Sequence, residues 1–166
     1  LAARNSAAVA RAKDGAFAVS SNGEGTVAVG ARRGEVEFAA AGKAVILRAG
    51  QQSIARPTEQ PSEPTQIPTT LFLKVGLPPS GEINRARVEI AGQTAPGAQI
   101  VVAGRRVVVS GDGRFATTLK LREGNNALRV EGRDVAGNVV VRRADLVVDT
   151  TAPDSRISTE DLWKKK

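Results

Sequence analysis

The sequence lacks cysteine, histidine, methionine and tyrosine altogether, and its 166 residues include one tryptophan and four phenylalanines. Without cysteine there is no disulfide framework, zinc–thiolate site, iron–sulfur cluster or thiol nucleophile. Without histidine the chain lacks the commonest general base and the commonest metal ligand. We therefore predict that the chain is not an enzyme and binds no cofactor or metal.

Long apolar runs are also absent. No segment approaches the roughly 18–20 apolar residues that a membrane span needs. The sequence begins at Leu1 and shows no charged region followed by an apolar region, the pattern of an export signal. We expect the chain to be a portion of a longer protein, with any export signal upstream. The lack of cysteine is compatible with an oxidising compartment.

Basic residues outnumber acidic ones, 24 to 17, but the excess is spread along the chain. A dispersed excess is typical of a solvated surface, whereas a polyanion site concentrates its charge. Three arginine doublets stand out near predicted turns or edges: Arg32 and Arg33, Arg105 and Arg106, Arg142 and Arg143. Because neighbouring side chains of a strand point to opposite faces, each doublet offers one arginine to a given surface. The doublets either protect strand edges or contact a polyanion or protein partner.

A proline-rich segment divides the chain. Residues 57–70 hold four prolines and almost no apolar side chains, which favours an extended, semi-rigid linker. We predict a small β module over residues 1–56, an immunoglobulin-like β-sandwich over 71–150 and a mobile tail over 151–166. A long loop inside one domain is the alternative interpretation of the proline-rich segment.

Apolar residues in the first module alternate with a period of two, which is typical of half-buried strands. Four pairs mark the strands: Phe17 and Val19, Val27 and Val29, Val36 and Phe38, Val45 and Leu47. They predict four or five short antiparallel strands. Residues 1–13 are rich in alanine and form either a short helix or the ragged end of a strand.

The second module shows sharper alternation, with turn signals every 8–12 residues and about seven short strands, as in an immunoglobulin-like sandwich. The absence of a cysteine pair and of tyrosine excludes an antibody-type domain. In the last predicted strand, residues 139–148, Arg142 interrupts the inward apolar positions. We expect a bulge near Arg142 and Arg143 or an edge position there.

Two groups of carboxylate or amide side chains could have a chemical role. Asp112, Asp134 and Asn138 lie in predicted turns, where such side chains bond the backbone; calcium ligation is the alternative. Glu35 and Glu37 share a strand face, as a glycosidase pair would. Since they alternate with apolar residues, we interpret them as the solvent face of a half-buried strand.

Residues 15–52 resemble the C-terminal half of a FecR-family domain. The matching motifs are Phe17 in an aromatic strand, VAV at 27–29, GEVEF at 34–38, VIL at 45–47 and AGQ at 49–51. The upstream half of that family is missing, which implies an incomplete module. A protein partner could complete such a module by adding a strand.

Residues 81–149 resemble bacterial immunoglobulin-like modules of the glucodextranase B-domain type. The matching motifs are VEIAGQTAPGA at 88–98, DGRF at 112–115, LREGNN at 121–126, DVAGN at 134–138 and DTTAPD at 149–154. Both resemblances imply extracytoplasmic β modules of bacterial envelope or secreted proteins, which serve mostly as spacers, adhesion units or ligand-presenting units.

These observations predict a non-catalytic structural or interaction module that mediates assembly or spacing outside the cytoplasm, in the periplasm, at the outer membrane or in a secreted protein. The alternatives are a carbohydrate- or polyanion-binding surface module and an accessory domain of a larger envelope enzyme. A protein partner is expected, and glycan or peptidoglycan remains open. The shortage of aromatic side chains argues against nucleic acid and against sugar stacking. Trp163, on the amphipathic tail, is either disordered or docks on a partner.

Overall fold

The computed structural model describes residues 7–151, and all regular secondary structure in that range is β-strand. The all-β class is thereby confirmed. None of the described residues forms a helix of the length and hydrophobicity that a membrane span requires. Two separate apolar cores lie in the described range, one formed by residues 8–55 and one by residues 73–146.

The first part of the chain contains seven strands: β1 (Val9–Ala12), β2 (Ala16–Ser21), β3 (Val27–Arg33), β4 (Glu35–Ala40), β5 (Lys43–Arg48), β6 (Gln51–Ala55) and β7 (Thr65–Gln66). They form two antiparallel sheets, ordered β1-β4-β5 and β2-β3-β6-β7. Alternate apolar residues point between the sheets, and the side chains of Val36, Phe38 and Leu47 are fully buried. The alternation read from the sequence therefore predicts four of these strands and their inward faces.

The chain start is a strand and not a helix. Residues Val9–Ala12 pair antiparallel with β4, and Ala10 is buried in the first core. The predicted alanine-rich helix is wrong over these four residues, and the strand alternative is correct. Helix propensity is a weak preference that tertiary pairing overrides.

The proline-rich segment 57–70 lies along the first part. Ser62 donates its backbone N–H to Ile54, Ile67 donates to Gly50, and β7 pairs with β6. Pro61 is buried. Proline removes a ladder donor but leaves the backbone N–H groups of its neighbours able to bond, so part of the predicted semi-rigid linker forms an intermittent edge on β6.

The second part contains eight strands: β8 (Leu73–Gly76), β9 (Gly81–Ile83), β10 (Arg87–Thr94), β11 (Gln99–Val102), β12 (Arg105–Val107), β13 (Arg114–Lys120), β14 (Gly124–Arg133) and β15 (Val139–Val148). One sheet is ordered β13-β10-β8 and the other β12-β11-β14-β15-β9. The first strand changes sheets, since β8 pairs with β10 and β9 runs parallel to β15. Pro78 and Pro79 lie at the change, where no ladder donor is needed. This arrangement is that of an immunoglobulin-like sandwich.

The register along β14 and β15 is continuous from the Gly124–Val148 pair to the Arg133–Val139 pair. The bulge predicted near Arg142 is therefore absent. The edge alternative describes the strand instead, because β9 covers β15 only from Leu146 to Val148. An arginine is tolerated at an inward position of β15 because its long side chain can reach solvent at this uncovered edge.

Candidate interaction surfaces

The two parts meet at a buried junction. Four buried apolar residues belong to neither core and lie where the parts touch: Ala28, Leu71, Ala98 and Val135. On the first part, the junction is the outer face of β3 and its neighbours. On the second part, it is the end of the sandwich formed by the turns after β10, β12 and β14.

Within residues 7–151, four side-chain hydrogen bonds cross this junction; the fourth, from Asn138 to the proline-rich segment, is described below with its turn. The Ser20 hydroxyl donates to the Gly97 carbonyl at 2.7 Å, and the Asn22 side-chain amide donates to the Val109 carbonyl at 2.5 Å. The Arg56 guanidinium donates to the Gly111 carbonyl at 2.8 Å. Ser20 and Asn22 are 5% and 3% exposed, so these two bonds replace water for groups that burial would otherwise leave unsatisfied.

Asn22 also closes its own turn. Its side-chain oxygen accepts the backbone N–H groups of Glu24 and Thr26, at 2.9 and 3.1 Å. The same side chain therefore fixes the β2–β3 turn and ties it to the second part. Thr26, in the same turn, is fully buried, and its hydroxyl has no hydrogen-bond partner among the described residues.

Small residues allow the close approach of the two parts. A Cβ at Gly97, whose φ is +80°, would lie 2.8 Å from the Ala28 Cβ. A Cβ at Gly30 would lie 3.2 Å from Ile67 and 3.4 Å from Val135. A residual cavity of about 150 Å³ between the parts is lined by residues of both.

The predicted turn residues all bond their own turns. The Asp112 carboxylate accepts the Ser110 hydroxyl at 2.5 Å and the Arg114 N–H at 3.2 Å. These donors, together with the nearby Arg114 charge, lower the pKa of Asp112. Asp134 accepts both the backbone and the side-chain N–H of Asn138. Asn138 additionally donates to the Pro68 carbonyl at 2.9 Å, which ties this turn to the proline-rich segment.

The two glutamates of β4 are exposed, as the alternation predicts. Glu35 forms a surface ion pair with Arg48 at 3.7 Å, and both side chains are largely in solvent. Within residues 7–151, no group of three or more histidine, cysteine, aspartate or glutamate side chains is placed to hold a metal ion.

The arginine doublets lie in three different settings. Arg32 and Arg33 are exposed at the end of β3, and the Arg32 guanidinium lies near Gly137 of the second part. Arg105 and Arg106 form most of β12, the edge strand of the five-stranded sheet. Arg142 and Arg143 lie on the part of β15 that β9 does not cover. Trp163 falls outside the described residues.

One arginine from each of two doublets joins a basic face. The outer surface of the five-stranded sheet, here called the arginine face, carries Arg106, Arg129, Arg133 and Arg143. Glu131 lies among them and pairs with Arg129 at 2.6 Å and with Arg133 at 3.8 Å. The sequence alone does not join Arg129 and Arg133 to the doublets, because it does not give the register between strands.

A groove of about 730 Å³ lies on the opposite face of the sandwich. Gly76, Ala91 and Ala116 occupy one row across the three strands, and their small size leaves space for the groove. Lys74 and Arg114 of the second part and Glu24 of the first part all line the groove. The groove therefore has no dominant charge.

The junction itself was missed from the sequence, although a signal was present. Ala28 and Gly30 occupy outward positions of β3, whereas the outward positions of β4 carry glutamates. A strand with small apolar residues on both faces is covered on both sides.

Comparisons with known proteins bear on the second part. Residues 72–150 are similar to the family described as glucodextranase, domain B. This stretch is just under half of the chain. It includes four of the five motifs that carry the resemblance, and it ends within the fifth, DTTAPD at 149–154. No curated protein matches the chain. The fibronectin(III)-like modules of CbhA from Clostridium thermocellum are similar at 12% identity, over 86% of this chain and 85% of that one, with a TM-score of 0.38. At that TM-score the likeness supports no inference about this chain.

The comparisons give no support to the FecR resemblance of residues 15–52. That resemblance stays a prediction. Its short motifs coincide with β2 to β6, and alternating strands of this kind occur in many small β modules.

Proposed function

We propose that this chain is a non-catalytic structural and interaction unit of a bacterial cell-envelope or secreted protein, and that it holds neighbouring parts of that protein at a fixed spacing. The junction carries this proposal. Buried apolar residues and four crossing hydrogen bonds join the two parts within residues 7–151, and such an interface resists bending far more than a flexible linker does. The match to one domain of an enzyme family supports an accessory role.

The extracytoplasmic setting and a FecR-type origin of the first part belong to the same proposal. A protein partner would add its strand at β2 or β5. Each of these strands ends a sheet and pairs on one side only within residues 7–151.

The spacing role is tested by a distance between the two parts. The chain has no cysteine, so Ala44→Cys and Ala127→Cys together give two clean spin-label sites on exposed strand positions. Electron-electron double resonance on the full chain should give one narrow distance distribution. Ala28→Leu inserts a side chain where Gly97 approaches and should broaden the distribution.

Ala91→Leu is the matched control, because Ala91 is exposed on the outer face of β10 and does not line the cavity between the two parts. It should leave the distribution unchanged. A broad distribution in the parent chain would contradict the proposal, since a spacer whose parts move freely sets no spacing.

A further inference from the structure

The register of four neighbouring strands, β12, β11, β14 and β15, places the arginines of the arginine face close together. Arg129 lies directly opposite Arg143 across β14 and β15. Arg106 is opposite Val101, which is opposite Glu131 in turn. Neighbouring strands are about 4.8 Å apart and alternate residues about 7 Å apart, so the four guanidinium groups lie within one patch.

Ion pairs within the chain do not neutralise all of the positive charge on this face. Glu131, whose side chain is 23% exposed, is shared by Arg129 and Arg133. Asp145 lies two residues beyond Arg143 at one end of the patch. Within residues 7–151, Arg106 and Arg143 have no ion pair. Glu82 of β9, opposite Val147, adds a third carboxylate at the far edge of the sheet. Four cations against three carboxylates leave the face positive.

The like-charged pair is unfavourable for folding. Two arginines directly opposite each other in a sheet repel, so Arg129 and Arg143 are not explained by the stability of the sandwich. An anionic ligand between them would turn this repulsion into two charge-assisted contacts. Guanidinium groups match carboxylate and sulfate groups with two parallel hydrogen bonds.

We infer that the arginine face binds a linear acidic polysaccharide. The face extends across four adjacent strands, wide enough for an extended chain, with Val101, Val139 and Val141 between the arginines. These apolar side chains can pack against sugar C–H groups, and no aromatic side chain is present there to stack on bases. This binding role goes beyond the spacing role and does not depend on the junction.

The opposite sheet provides the natural comparison. Its outer face carries Arg87 opposite Lys120 at one end, another pair of like charges directly across two strands. Its other basic residues, Lys74 and Arg114, lie in a row six residues along β10, about 20 Å away. Glu89 lies between these rows, and Arg114 is paired with Asp112 at 3.4 Å. This face has similar charge without a continuous patch.

The test uses heparin-derived oligosaccharide and polygalacturonate as probes, measured by calorimetry on the full chain at several salt concentrations. The parent chain should bind at least one of them, with affinity falling as salt rises. The variant R129Q/R143Q should lose affinity about tenfold or more, since it removes two charge-assisted contacts. The matched control R87Q/K120Q removes the same charge from the other face and should change affinity by less than about twofold.

Each outcome decides the inference. Equal losses in both double variants would show binding to net charge alone and would overturn it. So would retention of duplex DNA or anionic phosphatidylglycerol vesicles without either polysaccharide. Backbone chemical-shift changes in the parent chain should fall on β11, β14 and β15, and shifts confined to β8, β10 and β13 would also overturn it. This mapping needs no variant and stands even if a substitution impairs folding.

Discussion

The two ends of the immunoglobulin-like sandwich use the same turn chemistry for different purposes. At the junction end, the turns after β10, β12 and β14 are covered by the first part, and their carbonyls at Gly97, Val109 and Gly111 accept donors from it. At the far end, Glu123 accepts the hydroxyl and the N–H of Thr150, which belongs to the same sandwich. One end is an interface and the other closes on itself.

Asn22 at the junction and Asn126 at the far end of the sandwich show the same difference between the two ends. The side-chain oxygen of Asn126 accepts the backbone N–H of Arg122, and its NH₂ group donates to the carbonyls of Arg122 and Gly124, all in one turn. The side-chain oxygen of Asn22 also accepts a backbone N–H of its own turn, but its NH₂ group donates across the junction to the Val109 carbonyl. The residue type therefore predicts a turn, and only the partner decides whether the turn also joins two cores.

The largest effect should come from Gly97→Ala compared with Gly104→Ala. Both glycines have nearly the same positive φ, +80° and +79°, so both substitutions carry the same backbone strain. A Cβ at Gly97 meets Ala28 at 2.8 Å, whereas a Cβ at Gly104 meets nothing within 4 Å. We expect a loss of about 2–4 kcal/mol for Gly97→Ala and about 1 kcal/mol for Gly104→Ala in urea unfolding. Equal losses would contradict a close-packed junction.

Asn22→Ala compared with Asn126→Ala should come next. Removing the buried Asn22 side chain leaves the Val109 carbonyl and two N–H groups without partners, at an expected loss of about 2–3 kcal/mol. Asn126 is nearer the surface, where water replaces the lost bonds, and about 0.5–1 kcal/mol is expected. Thermal unfolding measures both. A larger loss at Asn126 would show that the far end, and not the junction, limits stability.

Two buried threonines separate a satisfied hydroxyl from an unsatisfied one. Thr94 donates to the Phe72 carbonyl at 2.9 Å, so Thr94→Val should cost about 1 kcal/mol. Thr26 has no partner for its hydroxyl within the described residues, so Thr26→Val should be neutral or slightly stabilising. Chemical unfolding of both variants checks this ordering, and the reverse order would show that Thr26 is bonded in solution.

The smallest effect concerns acid pH at the two ends. The pKa of Asp112 is lowered mainly by the Ser110 hydroxyl, and the pKa of Asp149 by the hydroxyl and N–H of Thr151. Because the folded chain favours the ionised forms, their stabilisation is present at neutral pH and is lost as pH falls through the lowered pKa values. Carboxyl NMR should show both groups titrating below the ordinary range, with Asp112→Asn and Asp149→Asn as controls. A normal pKa at either site would mean that its turn is open in solution.

The sequence predicts the strands better than it predicts their partners. Alternation identified the inward faces of β3, β4 and β5 because burial on one side leaves a period of two. The turn roles of Asp112, Asp134 and Asn138 could be predicted because their hydrogen bonds are local. For β1 the sequence allowed a strand only as one of two alternatives, and it did not indicate the edge formed by the proline-rich segment, since each depends on a partner strand elsewhere in the chain.

The junction and the arginine face share this limit. Ser20 and Gly97 are 77 residues apart, and Asn22 and Val109 are 87 apart, so no local pattern links them. Likewise, Arg129 meets Arg143 only through the register of β14 and β15. Side-chain type shows which residues point outward, but strand register decides which of them meet.

If the junction joins the two cores into one rigid unit, both parts must tumble together. Residual dipolar couplings of backbone N–H groups, measured for both parts in the full chain, report this directly. We expect one alignment tensor to fit β2 to β6 and β10 to β15 together. Two tensors of different magnitude or orientation would contradict it, because the two parts would then move independently.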